Sequence, residues 1–213
     1  MSASAPHLEV LPKSALALLR RLGGSDWTRP LYLAGGTACA LHLGHRTSQD
    51  LDFFSRDPVE PRLYRDGFAT LGPLEVHGES PGTLHATLAR VKISVMHFAA
   101  PLLDPTIHVE GVRVAGLRDL ALMKLSAISQ RGARRDFVDL HAICRAARLG
   151  VKDLLRLCGE KFPGVEFSDA HFLRSLVYFT DADAEPSPRM LQALDWKDVK
   201  RFFEREARAA LHE

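Results

Sequence analysis

Two aspartates separated by one leucine, Asp50-Leu51-Asp52, are the residues of this 213-residue chain best suited to chemistry. With Phe53 and Phe54 they read as a strand over 50–54. Successive strand side chains face opposite sides, so Asp50 and Asp52 share one face and Leu51 and Phe53 enter the core. Two carboxylates on one pleat face repel, and both stay ionised most easily around a divalent cation. Magnesium commonly uses one or two carboxylates plus substrate phosphates. The pair therefore suits a magnesium–triphosphate site, with manganese as the alternative ion. Upstream, a short apolar strand over 31–34 runs into Gly35-Gly36-Thr37 and a short helix over 37–43. Glycines let the backbone approach a phosphate, and free N–H groups at a helix start favour the anion. The Thr37 hydroxyl is a further candidate for a phosphate oxygen. Either element alone is commonplace, because Asp-x-Asp is most often a solvated face and Gly-Gly-Thr most often a turn. Together, with twelve residues between Thr37 and Asp50 to carry the chain back to a neighbouring strand, they point to phosphoryl or nucleotidyl transfer.

The elements that must hold this pair follow from periodicity and breakers. A leucine-rich helix over 7–22 ends at Gly23-Gly24. Residues 58–68 read as a helix. Strands are expected over 74–79, 83–89 and 91–98, and a tight hairpin over 107–109 and 112–114 turns on Glu110-Gly111. Helices follow over 117–130, 134–148, 151–161, 168–179 and 195–211. Strands first and helices last give an α+β fold: a mixed sheet flanked by helices, with a helical C-terminal half. The expected division is a core over 1–116 and a helical region over 117–213 that completes the site.

Composition excludes little. Apolar residues make up 46% and charged residues 25%, and the net charge is +2, so bulk charge does not argue for nucleic acid. Arg131, Arg134 and Arg135 form the one obvious local basic cluster. Cys39, Cys144 and Cys158 have neither zinc nor disulfide spacing and read as small apolar helix residues. There is no signal-peptide pattern and no apolar run near the ~20 residues that span a bilayer. The expectation is a cytoplasmic protein with no membrane partner.

The stretch Leu33-Ala34-Gly35-Gly36-Thr37-Ala38 with Gly44-His45-Arg46-Thr47-Ser48-Gln49-Asp50-Leu51-Asp52-Phe53-Phe54 resembles the first motif of the AbiEii/AbiGii nucleotidyltransferase toxins, within the DNA-polymerase-β-like superfamily. A second stretch, Leu117 to Ile128 with Lys124, then Arg131 and Arg135-Asp136-Phe137-Val138-Asp139-Leu140, is similar to that family's downstream element. The resemblance covers about residues 30–145. It implies a nucleotidyltransferase-like fold and transfer of a nucleoside monophosphate from an NTP to an RNA, tRNA included, or to a protein. It also implies a toxin-like role beside a cognate antitoxin. Asp50, Asp52 and Lys124 are the catalytic candidates, with Asp50 and Asp52 on the metal. Gly35, Gly36, Thr37, Arg46, Ser48, Arg131 and Asp136 are the nucleotide-binding candidates.

Lys124, Ile128 and Arg131 share a helical stripe. A lysine between Leu120 and Ile128 either snorkels to solvent or contacts phosphates as a point charge. Asp136 and Asp139 are neighbours on the next helix. They serve as a structural clamp, with Arg135 a partner for Asp139, or in the site itself. Arg131 and Arg135 are candidates to hold Asp50 or a phosphate. His45 reads as a positioning residue, and the remaining histidines read as surface or packed. Superfamily members often carry a third carboxylate on a neighbouring strand. Ser94 stands at that position here, beside Lys92, and a hydroxyl is a poor base and a poor magnesium ligand. Two alternatives therefore stay open: a catalytically weak nucleotide- or RNA-binding domain, and a kinase using the same site.

Overall fold

The computed structural model describes residues 5–211. One seven-stranded mixed sheet carries the molecule: β1 (Tyr32–Ala34), β2 (Leu51–Ser55), β3 (Leu74–Ser80), β4 (Thr83–Leu88), β5 (Val91–His97), β6 (Ile107–Val109) and β7 (Val112–Val114), in the order β3-β4-β5-β2-β1-β7-β6. Strands β3, β4 and β5 form an antiparallel meander. Strand β2 runs parallel to β5 and antiparallel to β1, and β1 runs parallel to β7. The helices are α1 (Lys13–Gly23), α2 (Gly35–Leu43), α3 (Pro61–Ala69), α4 (Leu117–Arg131), α5 (Arg134–Ala147), α6 (Val151–Lys161), α7 (Asp169–Val177), α8 (Thr180–Ala184) and α9 (Trp196–Leu211).

Local differences from the expected elements have local causes. The first helix begins only at Lys13, because Pro12 lacks the N–H that would extend it backward; Leu8–Val10 form a separate 3-10 turn. The expected helix over 168–179 ends at Val177, and after Tyr178 and Phe179 a short helix that was not expected follows at Thr180–Ala184. The β6–β7 hairpin has positive φ at both Glu110 and Gly111, as a two-residue type I′ turn demands.

The two faces of the sheet differ. Leu33, Leu51, Phe53, Ile93, Val95, Leu84 and Ala86 are buried at 3% exposure or less. The opposite face carries Asp52, Ser94 and His85 in lateral register across β2, β5 and β4. Farther along, it carries Phe54, stacked on Tyr32 with ring centroids 6.0 Å apart. One buried apolar cluster runs from Val10 to Ala207 through both halves of the chain. Cys39, Cys144 and Cys158 are free and buried within it, as expected of small apolar helix residues.

Candidate active site

The site begins where β1 gives way to α2. Gly35 has φ +67, and a Cβ built there would lie 2.8 Å from Asp52 Oδ2. A glycine is needed for both the backbone angle and the close approach. The glycines therefore lie inside the first turn of the helix, not in a separate turn before it, and its positive N-terminal end abuts Asp52. A Cβ on Gly36 would lie 2.4 Å from Arg46 Nη2.

Asp52 sits in β2 between Ala34 on β1 and Ser94 on β5. Ser94 Oγ donates to Asp52 Oδ1 at 2.7 Å. The residue at the third-carboxylate position thus orients one of the two aspartates. Asp50 immediately precedes β2. Its carbonyl oxygen accepts the Thr37 hydroxyl, which also shares a 2.8 Å hydrogen bond with Ser48 Oγ. Thr37 is 1% exposed, so its hydroxyl faces protein and not a phosphate oxygen. It ties the start of α2 to the start of β2, which fixes the spacing between the glycines and the aspartates.

Behind this surface lies a buried ion cluster. Asp139, with no exposed surface, accepts four hydrogen-bonding or ionic contacts. His45 Nε2 at 2.8 Å and Arg46 Nε at 2.6 Å approach Oδ1; Arg46 Nη2 at 2.8 Å and Lys124 Nζ at 2.7 Å approach Oδ2. Asp136 accepts Lys124 Nζ and Arg131 Nε, both at 2.8 Å. Burial alone would raise the Asp139 carboxyl pKa, but Lys124, Arg46 and His45 outweigh it and hold the group far below the ordinary carboxylate range. Asp136 is lowered in the same way by Lys124 and Arg131 against burial. Burial opposes the Lys124 charge, yet Asp139 and Asp136 hold its ammonium above the usual lysine range.

Several expectations change accordingly. Lys124 does not snorkel to solvent; it points inward between two carboxylates. Asp139 pairs with residues some 90 positions upstream and not with Arg135. Arg46 and Asp136 belong to the buried floor of the site and are not open to solvent. Arg131 holds Asp136, not Asp50. It remains about half exposed, and Asp52 lies near enough to add to the raised pKa of its guanidinium, behind the larger effect of Asp136. His45 is a positioning group, as expected, through its bond to Asp139. Asp139 itself is the residue that sequence reasoning underrated; the signal was an aspartate on the apolar face Val138, Leu140, Ile143.

The charge balance bears on what the site can bind. Lys124, Arg46 and Arg131 are spent on Asp136 and Asp139. Asp50 and Asp52 have no ion-pair partner among the described residues. A carboxylate at Asp52 beside the N-terminus of α2, with Asp50 two residues before it, fits a magnesium ion whose other ligands are phosphate oxygens and water. No group of three or more His, Cys, Asp or Glu side chains among the described residues forms an all-protein metal cage.

Comparison with known proteins agrees with this architecture. The chain is 35% identical over 190 residues to an uncharacterized protein of Aquifex aeolicus, covering 84% of this chain and 87% of that one. Two solved structures share the fold. Helicobacter pylori JHP933 is 18% identical, with TM-score 0.58, covering 93% of this chain and 92% of that one. The nucleotidyltransferase toxin MenT4 of Mycobacterium tuberculosis is 14% identical, with TM-score 0.56, covering 95% and 86%. No helix among the described residues is long and apolar enough to cross a membrane. The profile of the nucleotidyl transferase AbiEii toxins of type IV toxin–antitoxin systems matches residues 17–212, and the chain belongs to that family of nucleotidyltransferases.

Proposed function

We propose that the chain transfers a nucleoside monophosphate from an NTP to a hydroxyl of an RNA or protein acceptor, with magnesium or manganese held by Asp50 and Asp52, as the toxin of a pair with a cognate antitoxin. The observation that carries this reading is the Asp52 carboxylate, without an ion-pair partner among the described residues, set against the N-terminus of α2 at Gly35. The ion, when bound, would neutralise charge on the triphosphate and on the attacking oxygen.

The chain's own groups divide the remaining work. Backbone N–H groups at Gly35 and Gly36 receive phosphate oxygens. Arg131, through the guanidinium nitrogens not bonded to Asp136, contacts the phosphates from the solvent side. Lys124, buried between Asp136 and Asp139, adds its positive charge to the field under the triphosphate. Arg46, Asp136 and Asp139 act through these groups by fixing their places, and Thr37 with Ser48 fixes the start of β2. Three cations against two carboxylates leave a net positive floor under the anionic substrate. The helical region over 117–213 is thus part of the site, since it supplies Lys124, Arg131, Asp136 and Asp139.

The test is incubation with each α-labelled NTP, magnesium, and either bulk RNA or cell protein. Label entering one acceptor pool is the expected result, abolished in Asp52→Asn with the thermal melt unchanged. Full activity in that variant would overturn the metal assignment. Label that passes only from γ-labelled ATP would identify a kinase. NTP binding without any transfer would favour the binding-domain reading, for which Ser94 opposite Asp52 is the specific observation.

A further inference from the structure

Beyond Ser94 the sheet does not end. Asp52, Ser94 and His85 lie side by side on β2, β5 and β4, so all three side chains project from one face. Strands lie about 4.8 Å apart, which puts the Asp52 and His85 Cα atoms about 10 Å from each other with the short Ser94 between them. That face is covered by aromatic rings around the half-buried Phe54 and closes over Ser94, which is 4% exposed, but it is open at His85 on β4 and Lys92 on β5. His85 has no hydrogen-bond or ion-pair partner among the described residues. On its far side stands Gly78, and a Cβ built there would lie 3.9 Å from His85 Cδ2. In the structure the ring lies on the Gly78 side; no hydrogen bond or ion pair holds it there, exposed rotamers exchange on a ps–ns timescale, and a χ1 change toward β5 would bring it over Ser94.

We propose that the open face of β3–β5 receives an acceptor RNA and that His85 is the general base for its attacking hydroxyl. This rests on the transferase reading above. Ser94 cannot take that proton, because its hydroxyl is a poor base and already donates to Asp52. Imidazole is the side chain whose ordinary titration lies nearest neutrality. In the step, the acceptor oxygen bonds to the α-phosphorus, the bond from that phosphorus to the bridging oxygen breaks, pyrophosphate leaves, and the hydroxyl proton passes to His85. Lys92 on the same face and Arg90 in the β4–β5 turn, both exposed and without ion-pair partners among the described residues, supply cations for the RNA phosphates. The charged groups facing His85 are Lys92 on β5, Asp52 on β2, and Glu75 and His77 on β3; His77 itself is bonded to Thr87. Helix α3 packs near β3 and β4, and its Arg65 pairs with Glu79, whose register partner Leu84 is on the buried face.

The experiment compares the wild-type chain, His85→Ala and Lys92→Ala with bulk tRNA, α-labelled NTPs and magnesium. His85→Ala is expected to lower kcat on the order of 100-fold, to flatten the fall of rate on acidification, to leave NTP binding unchanged, and to recover part of its activity in added imidazole. Lys92→Ala is expected to raise KM for tRNA with kcat retained. A His85→Ala enzyme within about threefold of wild type, or a slow one that imidazole does not rescue and whose pH profile is unchanged, would overturn the base assignment while the transferase reading stands. No transfer to tRNA by the wild-type chain overturns the RNA-acceptor proposal itself.

Discussion

Replacing Asp139 by asparagine tests the buried ion cluster most directly. The side chain keeps its shape and loses its charge. In the native protein that charge faces Lys124, Arg46 and His45 at 2.6–2.8 Å, with no exposed surface on Asp139 and 7% or less on the side chains of its partners. Removing it leaves the Arg46 guanidinium buried with no carboxylate and Lys124 with one. Breaking a buried pair by deleting one partner typically costs about 3–5 kcal/mol, because the orphaned charge is not resolvated. For a chain of this size each kcal/mol lowers Tm by about 2–4 °C, so a fall of roughly 6–20 °C follows from the same estimates. Urea unfolding followed by far-UV circular dichroism gives the free energy, and an unchanged m-value shows that the same surface unfolds. Adding Lys124→Met to Asp139→Asn is expected to cost less than the sum of the two single changes, because Lys124 and Asp139 are direct partners and their shared ion pair is lost only once. A loss below about 1 kcal/mol for Asp139→Asn, or strict additivity, would refute the claim that this carboxylate compensates a buried charge.

Two further outcomes follow from the geometry. Gly36→Ala places a methyl 2.4 Å from Arg46 Nη2; the buried guanidinium must shift off its fork with Asp139, and both the melting temperature and the nucleotide affinity measured by calorimetry are expected to fall. Asp136 and Asp139 have folded pKa values below their unfolded ones. Their stabilisation is therefore fully present above about pH 4, the unfolded carboxylate range, and is lost as pH falls through the folded values. The urea midpoint should hold between pH 7 and 5 and drop toward pH 3, and a midpoint equal at pH 3 and 7 would contradict the assignment.

The residues that carry backbone periodicity were legible one segment at a time. Alternation in Asp50 to Phe54 separated the carboxylate side from the core side, and Gly35-Gly36 marked the start of a helix, because both are properties of a few consecutive residues. The seven strands and most helix limits followed from the same short-range rules. The partners of the charged residues did not. Lys124 read as a phosphate contact with a snorkelling stem as the alternative, and Asp139 had Arg135 one helical turn away. The fold instead packs α2, α4 and α5 together and brings His45 and Arg46 onto Asp139 from more than 90 residues upstream. Strand pairing likewise decided that Ser94 stands beside Asp52 and that His85 stands beyond it, since register depends on two segments at once. The sequence by itself determined which residues could do the chemistry of the Asp50–Asp52 pair. Only the tertiary structure decided which cations are spent on buried carboxylates and which carboxylates stand open, because a buried charge takes its partner from whatever the packing brings within about 3 Å.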